Sequence, residues 1–320
     1  MNPFYETIEQ AHKHHQYECV SFDEEKYGLF LKSLINQKLE IPNWRNDAYW
    51  PFDDRNFIQF LVITSSINAY YCDANSKKRF TMEWRGLSRT SSFGMISAFM
   101  RAYEEGFNLL DAKTLAGLTD EQMKRVFRGD PPLPLLLGRK TILNAVGKAA
   151  LRLYDGEFAN LFEAANYRCF QNGRGICERL VREIPEAFSD TRALDGQTIL
   201  FNKKALLVPL LYVGRAHDSE YLTPLKDWDS LSPVIDYRLP QTLCELGIIR
   251  CSENFQKHIA LQKEVPAGSL GEIEMRLLTG VAAARLMYDI GVLMTELDYL
   301  LWASGKNCRT PHMLVPTLDY

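Results

Sequence analysis

The sequence has few cysteines, and their spacing matches neither a disulfide framework nor a zinc site. The seven cysteines are scattered and odd in number, at positions 19, 72, 169, 177, 244, 251 and 308. None of them forms the paired C-x-x-C spacing that structural zinc ligands use. The pattern therefore predicts reduced thiols in a cytoplasmic protein that holds no metal.

Apolar segments that would target or anchor the chain in a membrane are also missing. The first ten residues carry Glu6 and Glu9 and lack a basic stretch followed by an apolar core, so no signal or transit peptide is apparent. No apolar run approaches the roughly 20 residues of a membrane-spanning helix. We expect no membrane association.

Positive charge is not in excess. Lysine and arginine number 37 against 40 aspartates and glutamates, which gives a formal net charge of -3. Proteins that are drawn onto nucleic acid usually present a basic surface. We therefore expect no direct contact with nucleic acid, and a DNA duplex is not the expected substrate.

Motifs that bind common cofactors are absent as well. The sequence contains no glycine-rich dinucleotide fingerprint, phosphate-binding loop, nucleophile elbow or zinc-protease helix. It also lacks the glycine pattern of a helix-hairpin-helix element that binds DNA. We expect no cofactor.

The residues that are present predict a mainly α protein with a small β-sheet. A chain of 320 residues that is 46% hydrophobic can bury a substantial core. Helical periodicity dominates, for example over 55–71, and Phe80 to Trp84 alternates like a half-buried strand that leads to a helix capped by Ser91. The helices each have one apolar face and need one another, so we predict one domain over 1–320, with 1–40 as an outer helical layer.

One short helix places an acidic side chain at its start. Pro240 suits a first helical turn, apolar residues follow at helical spacing, and Gly247 closes the segment, so the helix begins just after Asp236. Backbone donors at a helix start favour a carboxylate, and an anion in an apolar pocket stabilises a developing positive charge. The alternative is the more frequent one, a helix cap or a surface ion-pair partner.

The run Asp-Tyr-Arg-Leu-Pro-Gln over 236–241 resembles the signature of the queuosine salvage family. Members of that family are queuosine 5′-phosphate N-glycosylase/hydrolases, which release the base queuine from its ribonucleotide for tRNA modification. They resemble helical DNA glycosylases in fold. The resemblance therefore implies a DNA-glycosylase-like helical domain and an enzyme.

The resemblance covers roughly residues 40–320 and includes a second strong match, Leu-Asp-Tyr-Leu-Leu-Trp over 297–302. Asp298 lies one helical turn from Trp302, so the carboxyl group and the indole share a face, where one can contact a base edge and the other can cover a ring. The alternative for Asp298 is a capping box with Thr295. This sequence departs from the family at Ser65, Cys72 and Ala303, where the family has Asp, Trp and often an acid.

The family match implies a set of site residues. Asp236 would be catalytic, as a stabiliser of the sugar cation, as its nucleophile or as the group that activates water. Lys203, beside a helix start, would bind the 5′-phosphate, unless it is an ordinary surface lysine. Asn68, a polar residue among aromatics, is either a structural hydrogen-bonding group or a ligand contact. The substrate-binding residues implied are Asn68, Lys203, Tyr237, Arg238, Asp298 and Trp302.

The expected partners are queuosine 5′-phosphate and queuine. Two other functions stay open at this point. The first is a glycosylase that acts on another modified nucleotide or on nucleic acid. To act on nucleic acid, it would need a basic groove. A non-catalytic queuine-binding or helical scaffold protein would be favoured if Asp236 were exposed and no pocket joined it to Asp298.

Overall fold

Helices make up most of the regular structure, which confirms the predicted mainly α class. The computed structural model describes residues 2–45, 50, 53–73 and 75–320. Its α-helices are α1 (Pro3–His14), α2 (Glu24–Leu34), α3 (Phe57–Ser66), α4 (Ser91–Glu104), α5 (Ala112–Ala116), α6 (Asp120–Val126), α7 (Leu136–Leu153), α8 (Ala159–Ala164), α9 (Ile176–Glu183), α10 (Pro185–Phe188), α11 (Lys203–Ala216), α12 (Arg238–Glu245), α13 (Glu253–Ala260), α14 (Leu270–Ile290) and α15 (Met294–Ser304).

The strands of the described residues form three separate antiparallel pairs instead of one small sheet. They are β1 (Val20–Phe22), β2 (Thr81–Trp84), β3 (Leu87–Thr90), β4 (Thr191–Leu194), β5 (Gln197–Leu200) and β6 (Ile249–Cys251). Hairpin β2–β3 leads into α4, and hairpin β4–β5 leads into α11, whereas β1 pairs with the distant β6. Each hairpin thereby fixes where the following helix begins.

Helix α3 is shorter than the predicted helix over 55–71, and it has no polar face. All ten residues of α3 are buried. The helix ends at Ser66 because the chain then makes a tight turn, in which the amide of Ala69 donates to the carbonyl of Ile67. Asn68 therefore lies on a loop after the helix, and the expectation of a single helical stripe through Asn68 is wrong.

Helix α11 is also buried over all of its 14 residues, and it packs against α3, α9 and α15. Its first two residues are lysines. The ammonium group of Lys204 donates to the carbonyls of Ser66 and Leu318 at 2.7 and 2.6 Å. Burial lowers the pKa of Lys204 to about 7. A helix start is an unfavourable place for a cation, so these carbonyls compensate the lysine locally.

Helices α12, α14 and α15 pack together and hold the predicted motifs next to each other. The guanidinium group of Arg238 donates to Gln241 Oε1 at 3.0 Å and to the carbonyl of Gly305 at 2.9 Å. The hydroxyl of Thr242 donates to the carbonyl of Leu301 at 2.7 Å. These bonds fasten the start of α12 to the end of α15. Gly291, with φ of 74°, ends α14 as predicted and lets α15 begin nearby.

The amino-terminal segment attaches to α14 through a buried carboxylate. Glu274 accepts hydrogen bonds from the amides of Glu18 and Cys19 and lies 2.8 Å from His15 Nε2. Helix α1 packs on β5 and α14. One hydrophobic cluster contains residues from Phe4 to Tyr320. None of the helices in the described ranges is long and apolar enough to cross a bilayer.

Candidate active site

A pocket of about 790 Å³, its open mouth included, lies where the starts of α11, α12 and α15 meet. The structure brings all but one of the predicted site residues to this pocket. Those that line it are Asn68, Lys203, Asp236, Tyr237, Asp298 and Trp302. Arg238 does not line it, because its guanidinium group points to Gln241 and Gly305.

Asp236 is both a helix cap and a pocket residue. Its Oδ1 accepts the amides of Arg238 at 2.6 Å and Leu239 at 3.3 Å, which satisfies two of the free donors at the start of α12. The side chain is buried, with 7% of the residue exposed. Oδ2 receives no hydrogen bond from any described residue, so one carboxylate oxygen is left for a ligand.

Asp298 lies inside α15 and does not cap it. Helix α15 begins at Met294, which places Thr295 within the first turn. The capping carboxylate is that of Glu296, whose Oε2 accepts the amide of Leu293 at 2.8 Å. The alternative of a capping box formed by Thr295 and Asp298 is therefore wrong. The hydroxyl of Thr295 has no partner among the described residues and lines the pocket too.

The carboxyl group of Asp298 has an unusual proton affinity. Burial first, and then the nearby charge of Asp236, raise its pKa to about 8. The amide of Val234, at 3.3 Å from Oδ1, and the charge of Lys203 oppose this shift only in part. At neutral pH Asp298 is thus mainly a neutral acid, which can donate a hydrogen bond.

Lys203 supplies the positive charge of the pocket. It is buried, and its Nζ donates to the carbonyl of Asn68 at 3.1 Å. Burial lowers the pKa of Lys203, while the charges of Asp236 and Asp298 raise it. The alternative of an ordinary surface lysine is therefore wrong.

Aromatic rings form the walls of the pocket. The rings of Tyr299 and Trp302 are nearly parallel at 6.3 Å, and Phe93 and Trp44 meet Trp302 edge-on at 5.9 and 6.4 Å. Lys306, which is not a lining residue, places its Nζ 3.9 Å from the Trp302 centroid and covers one face of the indole. Flat rings at these angles suit a flat heteroaromatic ligand.

Three of these aromatic residues were not predicted from the sequence, namely Trp44, Phe93 and Tyr299. Tyr299 could have been found, because it lies within the second match, beside Asp298. Trp44 follows no periodic pattern and adopts φ of 54°, and Phe93 lies on an α4 face that only the fold directs toward α15. No local signal indicated either residue.

Asn68 and Tyr237 connect the pocket to its surroundings. Asn68 Oδ1 accepts the hydroxyl of Tyr71 at 2.9 Å, so the residue has a structural bond although it also lines the pocket. The ring of Tyr237 lies 4.5 Å from that of His312. None of Ser65, Cys72 and Ala303, the departures from the family pattern, lines this pocket.

Comparison with known proteins gives one consistent match. Residues 49–317 match the family described as "Queuosine salvage protein". The chain is 26% identical over 307 residues to the queuosine 5′-phosphate N-glycosylase/hydrolase of Sphaerobacter thermophilus, covering 94% of this chain and 90% of that protein. Enzymes of the same name from Bos taurus and Mus musculus are 23% and 25% identical, over 90% and 82% of this chain and 88% and 80% of their own.

Proposed function

Because this chain belongs to the queuosine salvage protein family, we propose that it hydrolyses the N-glycosidic bond of queuosine 5′-phosphate. The products are queuine, for salvage into tRNA, and ribose 5-phosphate. The observation that carries the proposal is that Asp236, just ahead of α12, and Asp298, within α15, are both buried and line one aromatic pocket.

Asp236 is the proposed catalytic group. When the base departs, carbon 1 of the sugar gains positive character, as in other glycosidic cleavages. A carboxylate oxygen that no protein donor occupies faces this carbon in the proposed complex. Whether Asp236 acts as stabiliser, nucleophile or base for water, its negative charge interacts more strongly with the transition state than with the neutral sugar.

Asp298 is proposed to assist the departing base. A 7-deazaguanine lacks the ring nitrogen that purine hydrolases usually protonate, so its negative charge must be held by donors at the base edge. The raised pKa of Asp298 supports this role, because a neutral carboxylic acid is a donor where a carboxylate is not. Lys203 then provides the countercharge for Asp236.

The aromatic walls are proposed to hold the base, with Trp302 as the main contact. Trp302→Leu should weaken the binding of free queuine about tenfold or more, since stacking of a base on an aromatic ring contributes about 1–3 kcal/mol. Titration calorimetry with queuine measures this. Trp228→Leu is the matched control, because that half-buried tryptophan lies outside the pocket. Equal losses in both variants would contradict a base-stacking role.

The geometry favours this enzyme over the two other functions. Among the described residues, the pocket lining includes two aspartates, one lysine and no arginine, which is not the basic groove that a nucleic acid would need. An exposed Asp236, with no pocket joining it to Asp298, would favour a non-catalytic scaffold protein. Asp236 is instead buried, and it lines the same pocket as Asp298. All seven cysteines are free thiols, which supports the proposal that the protein works in the reducing cytoplasm.

The direct experiment is incubation of the purified protein with queuosine 5′-phosphate. Mass spectrometry should detect queuine and ribose 5-phosphate in equal amounts, and the same preparation with Asp236→Asn should release almost none. Release by both preparations would point to a contaminating enzyme. Absence of release by the wild type would refute the proposed function.

A further inference from the structure

One wall of the active-site pocket is formed by a segment without regular structure. Residues 41–45, which we call the strap, belong to no helix or strand. Ile41, Pro42 and Trp44 of the strap line the pocket. The ring of Trp44 is buried and meets that of Tyr299 edge-on at 5.6 Å. Irregular segments are usually the more mobile parts of a fold, so this wall depends on contacts from other elements to keep its position.

Helix α11 runs along the pocket and reaches the strap at its far end. The residues of α11 that line the pocket are Lys203, Leu207, Leu210 and Leu211. Residues three and four positions apart lie on one helix face, and Gly214 is the next residue on the same face. One face of α11 therefore forms the pocket wall at its start and contacts the strap near its end.

Gly214 allows the strap to lie directly on the backbone of α11. A Cβ atom added at Gly214 would lie 2.0 Å from the carbonyl oxygen of Pro42 and 3.2 Å from Cδ1 of Trp44. Nonbonded heavy atoms attract each other best at about 3.5–4.0 Å, so any side chain at this position would displace the strap. Because α11 is buried over its whole length, the strap would move and the helix would stay. Glycine is unfavourable inside a helix, which indicates that this close approach is its purpose.

The backbone of Trp44 is held in an unfavourable conformation. Its φ of 54° lies in the left-handed region, which a bulky residue adopts only where surrounding contacts enforce it. Arg215, which follows Gly214, provides such a contact, because its Nη1 donates to the carbonyl of Trp44 at 3.2 Å. Asp54 accepts from Arg215 Nε at 2.7 Å and from Arg45 Nη2 at 2.5 Å. One buried carboxylate thereby joins the strap to α11.

An exposed hydrogen bond completes the attachment of the strap. Asn43 Nδ2 donates to Asp218 Oδ2 at 3.0 Å, and Asn43 Oδ1 accepts the amide of Arg45 at 3.0 Å. Asn43 and Asp218 are both exposed. Removal of either side chain therefore leaves the core packing intact.

We infer that Gly214, together with the contact between Asn43 and Asp218, positions Trp44 for base binding by holding the strap on α11. This inference rests on the proposed function, because the ligand is queuine. Gly214 does not line the pocket and acts through the strap. The strap is a segment separate from Asp236, so its displacement should weaken the binding of the base and leave the chemical step unchanged.

Gly214→Ala should bind free queuine about tenfold more weakly than the wild type, since an aromatic wall of the pocket is displaced. Its single-turnover rate at saturating queuosine 5′-phosphate should match that of the wild type. Titration calorimetry measures the affinity, and rapid quenching measures the rate. A variant that had only lost stability would bind less queuine per mole of protein with an unchanged dissociation constant. An unchanged dissociation constant would overturn the inference.

Gly147→Ala is the matched control for a buried clash. A Cβ atom at Gly147 would lie 2.4 Å from the amide nitrogen of Ala116, so this change forces α7 away from α5, outside the pocket lining. It should lower the melting temperature and leave the dissociation constant for queuine unchanged. An equal loss of affinity in both glycine variants would overturn the positioning role.

Asn43→Ala and Asp218→Ala test the attachment without a buried change. Each variant lacks the exposed hydrogen bond and should bind queuine about threefold more weakly, with the melting temperature of the wild type. Wild-type affinity in both variants would overturn the inference, also in the case that Gly214→Ala does not fold.

Trp44→Leu shows whether Gly214 acts through the indole ring. In a Trp44→Leu background, Gly214→Ala should reduce the affinity for queuine no further, because the ring that Gly214 positions is already removed. A further loss as large as that in the wild-type background would show that the two residues act independently and would overturn the inference.

Hydrogen exchange of the ligand-free protein tests the strap without the proposed reaction. The amides of residues 43–45 should exchange several times faster in Gly214→Ala than in the wild type. Equal exchange would overturn the inference even if queuosine 5′-phosphate is hydrolysed. If the wild type neither binds nor releases queuine, the proposed function fails, whereas faster exchange in Gly214→Ala would still support the hold of Gly214 on the strap. The two proposals therefore fail separately.

Discussion

Asp236→Asn should lower the turnover of queuosine 5′-phosphate by about three powers of ten or more while leaving queuine binding measurable. The loss is large because the charge of Asp236 is needed mainly when the sugar becomes cationic, and the amide is neutral. The fold should survive, since asparagine caps helices as well as aspartate and can accept the amides of Arg238 and Leu239. Single-turnover kinetics with saturating enzyme measure the chemical step.

The matched control is Asp229→Asn, an exposed aspartate in the short 3₁₀ turn Trp228–Ser230 ahead of the motif. It should retain wild-type turnover. Near-normal turnover in a folded Asp236→Asn variant would remove Asp236 from the mechanism and leave it as a helix cap only.

Asp298 should make the reaction sensitive to alkaline pH. Because its pKa is raised to about 8, the carboxyl group loses its proton, and with it the donor to the departing base, as pH rises through that value. The specificity constant should therefore fall above pH 8. Asp298→Asn keeps a donor that does not titrate, so this alkaline decline should disappear. If the specificity constant of Asp298→Asn still falls above pH 8, another titrating group causes the decline.

Truncation of the same residue tests base recognition. Asp298→Ala should weaken the binding of free queuine by about one to two powers of ten, because a buried polar contact to the base is lost. Calorimetry at pH 7 measures the affinity. Ser304→Ala is the control for helix α15, since this exposed residue lies outside the pocket. Unaltered queuine affinity in Asp298→Ala would contradict a contact to the base.

Ionisation of Asp298 should lower the stability of the folded protein. The unfolded chain releases this proton near pH 4, whereas the folded protein keeps it until about pH 8. The contribution of Asp298 to folding stability is therefore fully present below pH 4 and is lost as pH rises to 8. Relative to the wild type, Asp298→Asn should gain roughly 3 to 4 kcal/mol in free energy of unfolding between pH 5 and pH 8. Urea denaturation at the two pH values measures this gain, and a constant difference between the proteins would contradict it.

Local signals in the sequence were enough for the helical class and for the two main motifs. Periodicity and end signals predicted the short helix after Asp236 and the break at Gly291, because helix starts and stops depend on residues a few positions apart. The one-turn spacing of Asp298 and Trp302 likewise predicted that they share a face, and both line the pocket. The resemblance to a family then connected these motifs to a reaction.

The burial, neighbouring charges and side-chain directions of these residues are decided only by the tertiary structure. The burial that raises the pKa of Asp298, the position of Lys203 near two carboxyl groups and the turn of Arg238 away from the pocket all depend on helices that are distant in the chain. Helix α3 is buried on all sides because α7 and α11 pack around it, which no single-helix pattern contains. Sequence determines which groups are present and how near neighbours are arranged. Desolvation and the meeting of remote charges, which set proton affinity and ligand preference, exist only once the chain is folded.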